Sequence, residues 1–385
     1  MSDVRPKLKP AIMQMVRAFC FMQMLASLAV LASGHHALAG TTVVDITGRR
    51  VELPAPAKRI LLDAPAYYLA LPLLTKNAGD LIVGVSNSPS GRDFGGGAQM
   101  LRDLVDKPRV GSIFARTFSI EKALELKPDL LIASSVVHGQ ATAIEEAFAK
   151  VGIPIIYVDF STDPGKNTAA SIEIIGQSIG AEDNAAAFLS FYHRHVNRIT
   201  DRLKSAGVTR SKLLVTSRGP GVRCCSASPD SGVLAYFDGL GITNIAGDKA
   251  PSRLSPTVQL SLEYIIGRDP DVLVVNAIGK GPDSVFGEPP TVAQGIASLE
   301  KLRLEPGFRD LSAVRNGRVH AVDLSLLISP LSFVAFEALA KWVHPELFAN
   351  IDPQATLDEI NARFLKTPLK GPFWVSLDSA TGNSP

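Results

Sequence analysis

Apolar residues along this chain form short continuous runs, separated by stretches with helical spacing. Such runs predict strands that are buried on both faces, and their alternation with helices predicts mostly parallel sheets. The predicted strands are 58–63, 81–85, 130–134, 154–159, 212–216, 272–276 and 318–323, and the predicted helices are 67–75, 120–126, 141–151, 233–239, 261–267 and 333–342. The sequence therefore predicts an α/β fold.

The longest helical stretch lies near the middle of the chain and predicts a division into two lobes. Its apolar residues recur at spacings of three and four, which places them on one face: Phe188, Tyr192, Val196, Ile199 and Leu203. About 25 residues in a helix span roughly 37 Å, enough to link two domains. We expect an N-terminal α/β lobe at 41–180, a connecting helix at 181–206 and a C-terminal α/β lobe at 207–385.

A phrase of fourteen residues occurs twice, with matching positions 142 residues apart. Ser119 to Ile132 reads SIEKALELKPDLLI, and Ser261 to Val274 reads SLEYIIGRDPDVLV. Each copy predicts an exposed glutamate in the first turn of a helix, then a Pro-Asp turn, then a buried strand. The separation is too long for a solenoid repeat, so the copies indicate corresponding parts of two similar domains.

The first 39 residues have the pattern of a signal peptide. A basic segment precedes an apolar stretch from Phe19 to Ala32, and Ala37-Leu38-Ala39 matches a cleavage site. Removal of this segment changes the formal charge from +2 to −1, because it carries four basic residues and one acid. We expect a periplasmic protein cleaved near Ala39. The balanced charge gives no indication of nucleic-acid binding.

Cys224 and Cys225 are adjacent, and the stretch around them, rich in Gly, Pro and Arg, predicts a loop. Adjacent Cα atoms lie closer than most disulfides require, so a bridge between them would be strained. Free thiols, a strained redox pair, soft ligands or small apolar loop residues all fit this sequence.

The chain resembles the periplasmic substrate-binding proteins of ABC importers for iron–siderophores, haem and cobalamin, whose two lobes are joined by one rigid helix. The resemblance rests on ordered short motifs at 45–54, 58–60, 119–129, 261–271, 314–323 and 344–348. It implies a protein that catalyses nothing, captures a small metal chelate and delivers it to permease subunits in the inner membrane. It also implies that Glu121 and Glu263 dock into basic pockets of that permease, and that the protein is a monomer.

Candidate ligand-binding residues are those that follow the predicted strands, because ligands of open α/β sheets gather at the carboxyl ends. They are Tyr67, Tyr68, Arg92, Arg116, Arg218, Arg223, Tyr236 and Arg253. Of the two adjacent tyrosines, we expect one in the core and one in the cleft. Arginine forks pair with carboxylates and stack on flat rings, so this set suits an anionic, partly aromatic chelate. A ferric siderophore fits, because its oxygens already surround the metal.

Several alternatives remain open on sequence alone. Haem or cobalamin would suit the same class, with Tyr67, Tyr68 and His138 as candidate axial ligands for haem. A periplasmic thiol-redox protein would use Cys224 and Cys225, and a sensor would present its ligand to a partner other than a permease. We expect no catalytic residues, no resident cofactor and no metal ligands, because the histidines lack zinc-type spacing and no nucleophile or nucleotide motif occurs.

Overall fold

The structure, a computed structural model, describes residues 40–87, 102–219, 222–227, 240–249, 258–277 and 291–377. Its strands are β1 Thr41–Val44, β2 Arg50–Leu53, β3 Ile60–Leu62, β4 Ile82–Val85, β5 Leu130–Ser134, β6 Ile155–Val158, β7 Ser211–Gly219, β8 Val222–Ala227, β9 Ile242–Asn244, β10 Val258–Gln259, β11 Val272–Ala277, β12 Val319–Asp323 and β13 Trp374–Ser376.

The α-helices of the described residues are α1 Ala70–Leu74, α2 Ala78–Leu81, α3 Ile120–Glu125, α4 Thr142–Ala149, α5 Pro164–Ile179, α6 Glu182–Ala206, α7 Leu262–Arg268, α8 Val292–Arg303, α9 Ser312–Arg315, α10 Leu324–Leu327, α11 Ser332–Val343 and α12 Pro353–Arg363. Short 3-10 helices span Pro65–Leu69, Arg102–Leu104 and Ser135–Gln140. No helix in these ranges is both long and apolar enough to cross a membrane.

The first half of the chain forms a four-stranded sheet in the order β4-β3-β5-β6, and all of its pairings are parallel. The residues of β5 and β6 are all buried, as continuous apolar runs predict. A small antiparallel hairpin, β1–β2, precedes this sheet. Helices cover the sheet, so the first half has the predicted parallel α/β form.

The second half forms a seven-stranded mixed sheet in the order β10-β8-β7-β11-β12-β13, with β9 also paired to β7. Its centre is parallel, since β9, β7, β11 and β12 run in the same direction. Its margins are antiparallel, through β8, β10 and β13. The predicted α/β class with two sheets and a long helix between them is confirmed, although this second sheet is less parallel than expected.

Helix α6 packs against both halves of the molecule. In the first half it contacts α5 and α1, and the Asn184 side chain donates to the Leu74 carbonyl at 2.8 Å. In the second half it contacts α11, and the Arg202 guanidinium donates to the Leu347 carbonyl at 3.0 Å. Both ends of this 25-residue helix are therefore fixed by hydrogen bonds, one to each half.

Aromatic side chains fill the contact between α6 and the second half. Phe188, Phe191 and Tyr192 are buried and meet the Phe333 ring at centroid distances of 6.3, 6.1 and 5.2 Å. Phe188 and Phe191 also meet the Phe364 ring, edge to face. Edge-to-face pairs of this kind add to the free energy of apolar burial, so α6 is held as part of the core.

A buried carboxylate crosses the same contact. Glu337 on α11 is fully buried, and its Oε1 accepts from His195 Nδ1 at 2.8 Å and from Arg198 Nη2 at 2.9 Å. Both donors lie on α6. The other oxygen, Oε2, is buried and has no hydrogen-bond partner among the described residues. The charge of Glu337 therefore depends on these two side chains of α6.

Strand β8 differs from the sequence prediction, and several helices were not predicted, the longest of them α5, α8 and α12. Cys224 and Cys225 lie in strand β8 rather than in a loop, because β8 pairs with β7 on one side and β10 on the other. Helix α5 was not predicted, although Asp163 caps its first turn and Pro164 begins it. Its buried face includes Thr168, Ser171 and Ser178, which interrupt the apolar pattern.

Replacement of Arg198 by Met should destabilise the fold by about 3 kcal/mol, because Glu337 would keep a buried charge with only His195 beside it. Urea unfolding followed by circular dichroism measures this loss. Arg303→Met is the matched control, since Arg303 pairs with Glu300 at an exposed position of α8 and should change the free energy of unfolding by less than about 1 kcal/mol. Equal losses in the two variants would contradict the role of Glu337.

His320 on β12 should make the protein sensitive to acid. Its ring is buried, stacks on the Trp342 ring at 4.5 Å, and bonds through Nδ1 to Ser376 Oγ at 2.6 Å. Burial, aided by the Arg318 charge, lowers the pKa of His320 to about 3. The native state therefore keeps a neutral imidazole, whereas the unfolded chain takes up a proton near pH 6.5.

The free energy of unfolding should thus be intact above about pH 6.5 and should fall below it, by up to about 1.4 kcal/mol per pH unit, until pH 3. Denaturant titrations at several pH values measure this slope. His320→Gln should flatten it, while His193→Gln, at an exposed position of α6, should leave it unchanged. An unaltered slope in His320→Gln would show that other groups cause the acid sensitivity.

Candidate functional site

Two carboxylates anchor the carboxyl edge of the first sheet. Asp63 directly follows β3, and Ser86 Oγ, just after β4, donates to it at 3.0 Å. Burial raises the pKa of Asp63, while hydrogen bonds from Ser86 and from the backbone of Ser134 and Ile113 act in the opposite direction. Asp63 therefore holds together the ends of three strands and the loop that contains Ile113.

Asp159, after β6, organises the neighbouring loop in the same manner. Its carboxylate accepts from the backbone nitrogens of Ser161, Thr162 and Asp163 at 2.7–3.0 Å, and from Asn167 Nδ2 at 2.7 Å. This loop leads into α5. The backbone donors that follow the strand are thus satisfied by one buried acid.

Tyr67 contributes a hydroxyl group between these two anchors. Its Oη lies 3.1 Å from Ser134 Oγ and 2.8 Å from Ser161 Oγ, and its ring meets the Phe160 ring at 5.0 Å. Burial raises the pKa of Tyr67, so the phenol stays neutral. The polar floor of this edge consists of neutral hydroxyls that can both donate and accept hydrogen bonds.

The Tyr68 hydroxyl does not reach the carboxyl edge. Its hydroxyl donates to Asp103 Oδ2 at 2.5 Å, in a cavity of about 260 Å³ between α1, α2 and residues 365–369. Both tyrosine rings are buried, at 3% and 2% exposure, so the expectation of one core and one cleft tyrosine is wrong. Of the two, only Tyr67 brings its hydroxyl to the carboxyl edge.

Arg116 lies on a tight turn beside this edge. Arg116 is exposed, and its backbone takes the left-handed conformation with φ of 57°. Such a conformation is uncommon outside glycine and marks a position that the surrounding structure enforces. Arg116 is the predicted binding residue that the structure places most clearly at the first carboxyl edge.

The carboxyl edge of the second sheet carries a different set of groups. Arg218 is the penultimate residue of β7, opposite Ala277 of β11, and Arg223 is the second residue of β8, so the β7–β8 hairpin brings the backbone of both residues to this edge. Asn276 Oδ1, near the end of β11, is buried without a hydrogen-bond partner among the described residues. Asp323, at the end of β12, accepts from Ser325 Oγ at 2.6 Å.

The remaining predicted ligand residues lie outside the described ranges. These are Arg92, Tyr236 and Arg253, and the side chains of Arg218 and Arg223 are likewise not described. His138, a candidate haem ligand, is half-buried on the 3-10 helix after β5 and meets the Tyr157 ring at 4.8 Å. Cys225 is buried and disulfide-bonded.

Sequence reasoning missed Asp63, Ser86, Ser134 and Asp159 as parts of the edge. A signal was available for each, since all four stand at the ends of predicted strands. What the sequence did not show was their convergence, because Asp63 joins segments more than twenty residues apart in the chain.

The duplicated phrase folds in the same way in both halves. Ser119 Oγ accepts from the Lys122 amide at 3.3 Å, and Ser261 Oγ accepts from the Tyr264 amide at 3.2 Å, so each serine caps its helix. Glu121 and Glu263 stand in the first turns of α3 and α7, and both are exposed. A hydrogen bond from its own backbone and one from Ser261 hold the pKa of Glu263 below its usual range.

The second part of each phrase is also matched. Asp129 accepts from the Lys58 and Arg59 amides at 2.8 and 2.9 Å, and Asp271 accepts from the Lys212 amide at 2.7 Å. Each aspartate thereby clamps the strand beside its own, β3 in one half and β7 in the other. The residue two positions before each aspartate also has the same backbone conformation in both copies. Lys127 and Asp269 are both left-handed, with φ of 48° and 45°.

These matches place the two glutamates on equivalent supports. The repeated segment is a cap, a short helix, a left-handed residue, a clamp and a buried strand, in the same order each time. Within the described ranges, no group of three or more His, Cys, Asp or Glu side chains is placed to hold a metal ion.

Comparisons with solved structures agree with this architecture. The TroA-like periplasmic binding protein FepB from Veillonella parvula is 26% identical and has a TM-score of 0.77, with 87% of this chain and 99% of that chain covered. The molybdate-bound MolA from Haemophilus influenzae is 17% identical, with a TM-score of 0.64 and coverage of 86% and 99%. CeuE of Helicobacter pylori is 18% identical, with a TM-score of 0.60 and coverage of 85% and 96%.

A search among curated proteins finds no match. A family model described as "Periplasmic binding protein", by contrast, matches residues 65–325. This range begins at the 3-10 helix after β3 and ends just after β12, so it includes α6, both copies of the duplicated phrase and every strand of the two sheets except β3 and β13. Members of the family are solute-binding proteins of ABC transporters rather than enzymes. This chain belongs to the periplasmic binding protein family.

Proposed function

We propose that this protein captures an anionic metal chelate of the ferric siderophore type in the periplasm and delivers it to an ABC permease of the inner membrane. The observation that carries the proposal is the pair of exposed glutamates, Glu121 and Glu263, on equivalent supports in the two halves. A duplicated surface acid is expected where one protein must meet a permease built from two similar subunits.

The ligand would lie between the two carboxyl edges, as the carboxyl ends of parallel strands form the usual ligand site of α/β sheets. In this arrangement the lobes are 41–180 and 207–385, and α6 lies within the connecting segment 181–206. Arg116 on one edge and Arg218 and Arg223 on the other supply positive charge. The buried hydroxyls of Tyr67, Ser134 and Ser161 supply neutral hydrogen-bonding groups.

An anionic chelate suits these groups better than a free metal ion. Guanidinium groups repel a bare cation, whereas they pair with carboxylate, phenolate or hydroxamate oxygens that already enclose a metal. Among the similar solved structures, MolA is bound to molybdate and CeuE to nickel, and a protein from Staphylococcus epidermidis is named as a possible iron-binding protein. The charge of the edge groups, rather than those names, is the reason for favouring a chelate.

Docking would use the geometry of the duplicated phrase. A carboxylate in the first turn of a helix is held outward by the cap and clamp around it. It can then form a forked pair with an arginine of the permease. We further propose that the segment 1–39 is removed near Ala39 on export and that the mature protein acts as a monomer.

Reversal of both charges, in a Glu121→Lys/Glu263→Lys variant, should abolish uptake and leave ligand affinity unchanged. The two glutamates are exposed and are not among the predicted ligand-binding residues, so repulsion should act at the permease. The test measures uptake of iron-55 presented as a siderophore chelate, in cells that carry only the variant protein, and chelate affinity by calorimetry.

Glu146→Lys/Glu346→Lys is the matched control. It changes the net charge equally and also alters one exposed acid in each half, but neither acid lies in the duplicated phrase. This control should transport normally. Normal uptake by the Glu121→Lys/Glu263→Lys variant would refute the docking role, and loss of chelate affinity in that variant would place the two acids in the ligand site instead.

A further inference from the structure

Two large apolar side chains are exposed at the carboxyl edge of the first sheet. Phe114 is 50% exposed and Val136 is 48% exposed. Phe114 stands on the turn that precedes α3, and Val136 stands on the 3-10 helix that follows β5. Burial of these two side chains by a ligand would be favourable, at roughly 25 cal/mol per Å² of apolar surface removed from water.

The turn that presents Phe114 is closed by several hydrogen bonds. Thr117 N donates to the Ser112 carbonyl at 2.9 Å, Arg116 N donates to the Ile113 carbonyl at 3.0 Å, and Ala115 N donates to Ser112 Oγ at 3.2 Å. Thr117 Oγ1 accepts from the Ser112 amide at 3.1 Å. The backbone that exposes Phe114 is therefore fixed by hydrogen bonds within the turn.

Glycine at position 111 is required for this closure. Gly111 has φ of 88°, and a Cβ atom there would stand 2.0 Å from the Thr117 carbonyl oxygen. No other residue type fits that space without displacement of the backbone. The turn thus depends on the close approach of two chain segments at its base.

Asp63 connects the supports of both apolar residues. The backbone of Ile113, next to Phe114, and that of Ser134, two residues before Val136, both hydrogen-bond to its buried carboxylate. Ser134 Oγ in turn accepts from the Val136 amide at 3.3 Å. Phe114 and Val136 are consequently fixed to one anchor, beside the Tyr67 hydroxyl that also reaches Ser134.

Arg116 completes the group, two residues after Phe114 in the same turn. Arg116 is exposed, and its left-handed backbone belongs to the turn that presents Phe114. Guanidinium groups favour ligands that offer a negative oxygen beside a flat ring, since the fork pairs with the oxygen and the plane stacks on the ring.

We infer that Phe114, Val136 and Arg116 form a specificity-determining surface for chelates with an aryl face and negatively charged oxygens. This inference rests on the proposed function, and it narrows the ligand class within it. A ligand with aromatic arms buries Phe114 and Val136 when it binds. A fully hydrophilic chelate leaves Phe114 and Val136 exposed to water and gains only the electrostatic attraction of Arg116.

The test compares two ferric probes by calorimetry on the purified mature protein. One is the ferric complex of 2,3-dihydroxybenzoate, which is anionic and aromatic, and the other is ferric citrate, which is anionic without rings. The wild-type protein should bind the aromatic complex more tightly. Phe114→Ala should weaken this binding about tenfold, which corresponds to about 1.4 kcal/mol, and Val136→Ala about threefold.

Arg116→Asn removes the charge and keeps a residue that tolerates the left-handed backbone. It should weaken binding of both probes about tenfold, because both are anionic. Val151→Ala is the control for the apolar substitutions, since Val151 is 57% exposed after α4 and stands apart from the edge. It should change neither affinity. Thermal unfolding of each variant checks that the fold is retained.

The outcomes separate this inference from the proposed function. If a ferric probe binds but Phe114→Ala and Val136→Ala behave like Val151→Ala, the specificity surface is refuted while the chelate-binding function stands. Tighter binding of ferric citrate than of the aromatic complex refutes it equally. If neither probe binds, nor a hydroxamate chelate, nor haem with its Soret band, the proposed function fails and the inference fails with it.

Discussion

The packing of α6 against both halves is the constraint on which the rest of the structure depends. A helix with a single apolar face can bury it against one partner, but α6 contacts α1 and α5 on one side and α11 on the other. Its aromatic residues and the buried Glu337 pair fix its rotation, and hydrogen bonds at Asn184 and Arg202 fix its two ends. The two sheets are therefore joined by an element with little freedom to bend.

The packing of α6 also bears on the two copies of the duplicated phrase, because each copy is attached to one of the two sheets. In each copy an aspartate hydrogen-bonds to the neighbouring strand and a serine caps the short helix. The position of each glutamate is therefore fixed relative to its own sheet. If α6 holds the sheets, it also sets the separation of Glu121 and Glu263. A partner with two basic sockets at a fixed distance could then recognise the molecule as a whole. Ligand binding would need only a small adjustment, as the carboxyl edges are already braced by Asp63 and Asp159.

Much of the fold followed from local patterns, because buried strands and amphipathic helices leave a direct trace in the sequence. The strands β3 to β6, α6, and both copies of the repeat were predicted in the right places. Helix α5 was not predicted because Thr168, Ser171 and Ser178 are buried on it. Ser178 Oγ donates to the Ile174 carbonyl within the helix, and Ser171 Oγ donates to the Asp159 carbonyl after β6. Strand β8 was not predicted because its hairpin composition is typical of loops and its pairing with β7 and β10 is non-local.

The site was harder to predict than the fold. Arg116 was chosen for its place before the repeated helix, and its role in binding stays a prediction. Tyr68 was chosen because it follows a strand, but its hydroxyl points to Asp103. The Asp63 anchor depends on contacts among four separate segments, and the exposure of Phe114 depends on a turn closed by Gly111. Single-sequence patterns do not contain such convergence. The buried acid of α11 did leave a signal, since Glu337 is the one acid within an otherwise largely apolar helix.

The most direct test of the central claim is a distance measurement between the two repeats. Spin labels at Lys122 and Ile266, exposed positions of α3 and α7, report this distance by pulsed electron resonance with and without a bound ferric chelate. A stiff α6 predicts one narrow distance distribution in each state, with only a small shift between them. Broad or two-peaked distributions in the unloaded protein would contradict the account, because they would show that α6 does not hold the two halves at a fixed separation.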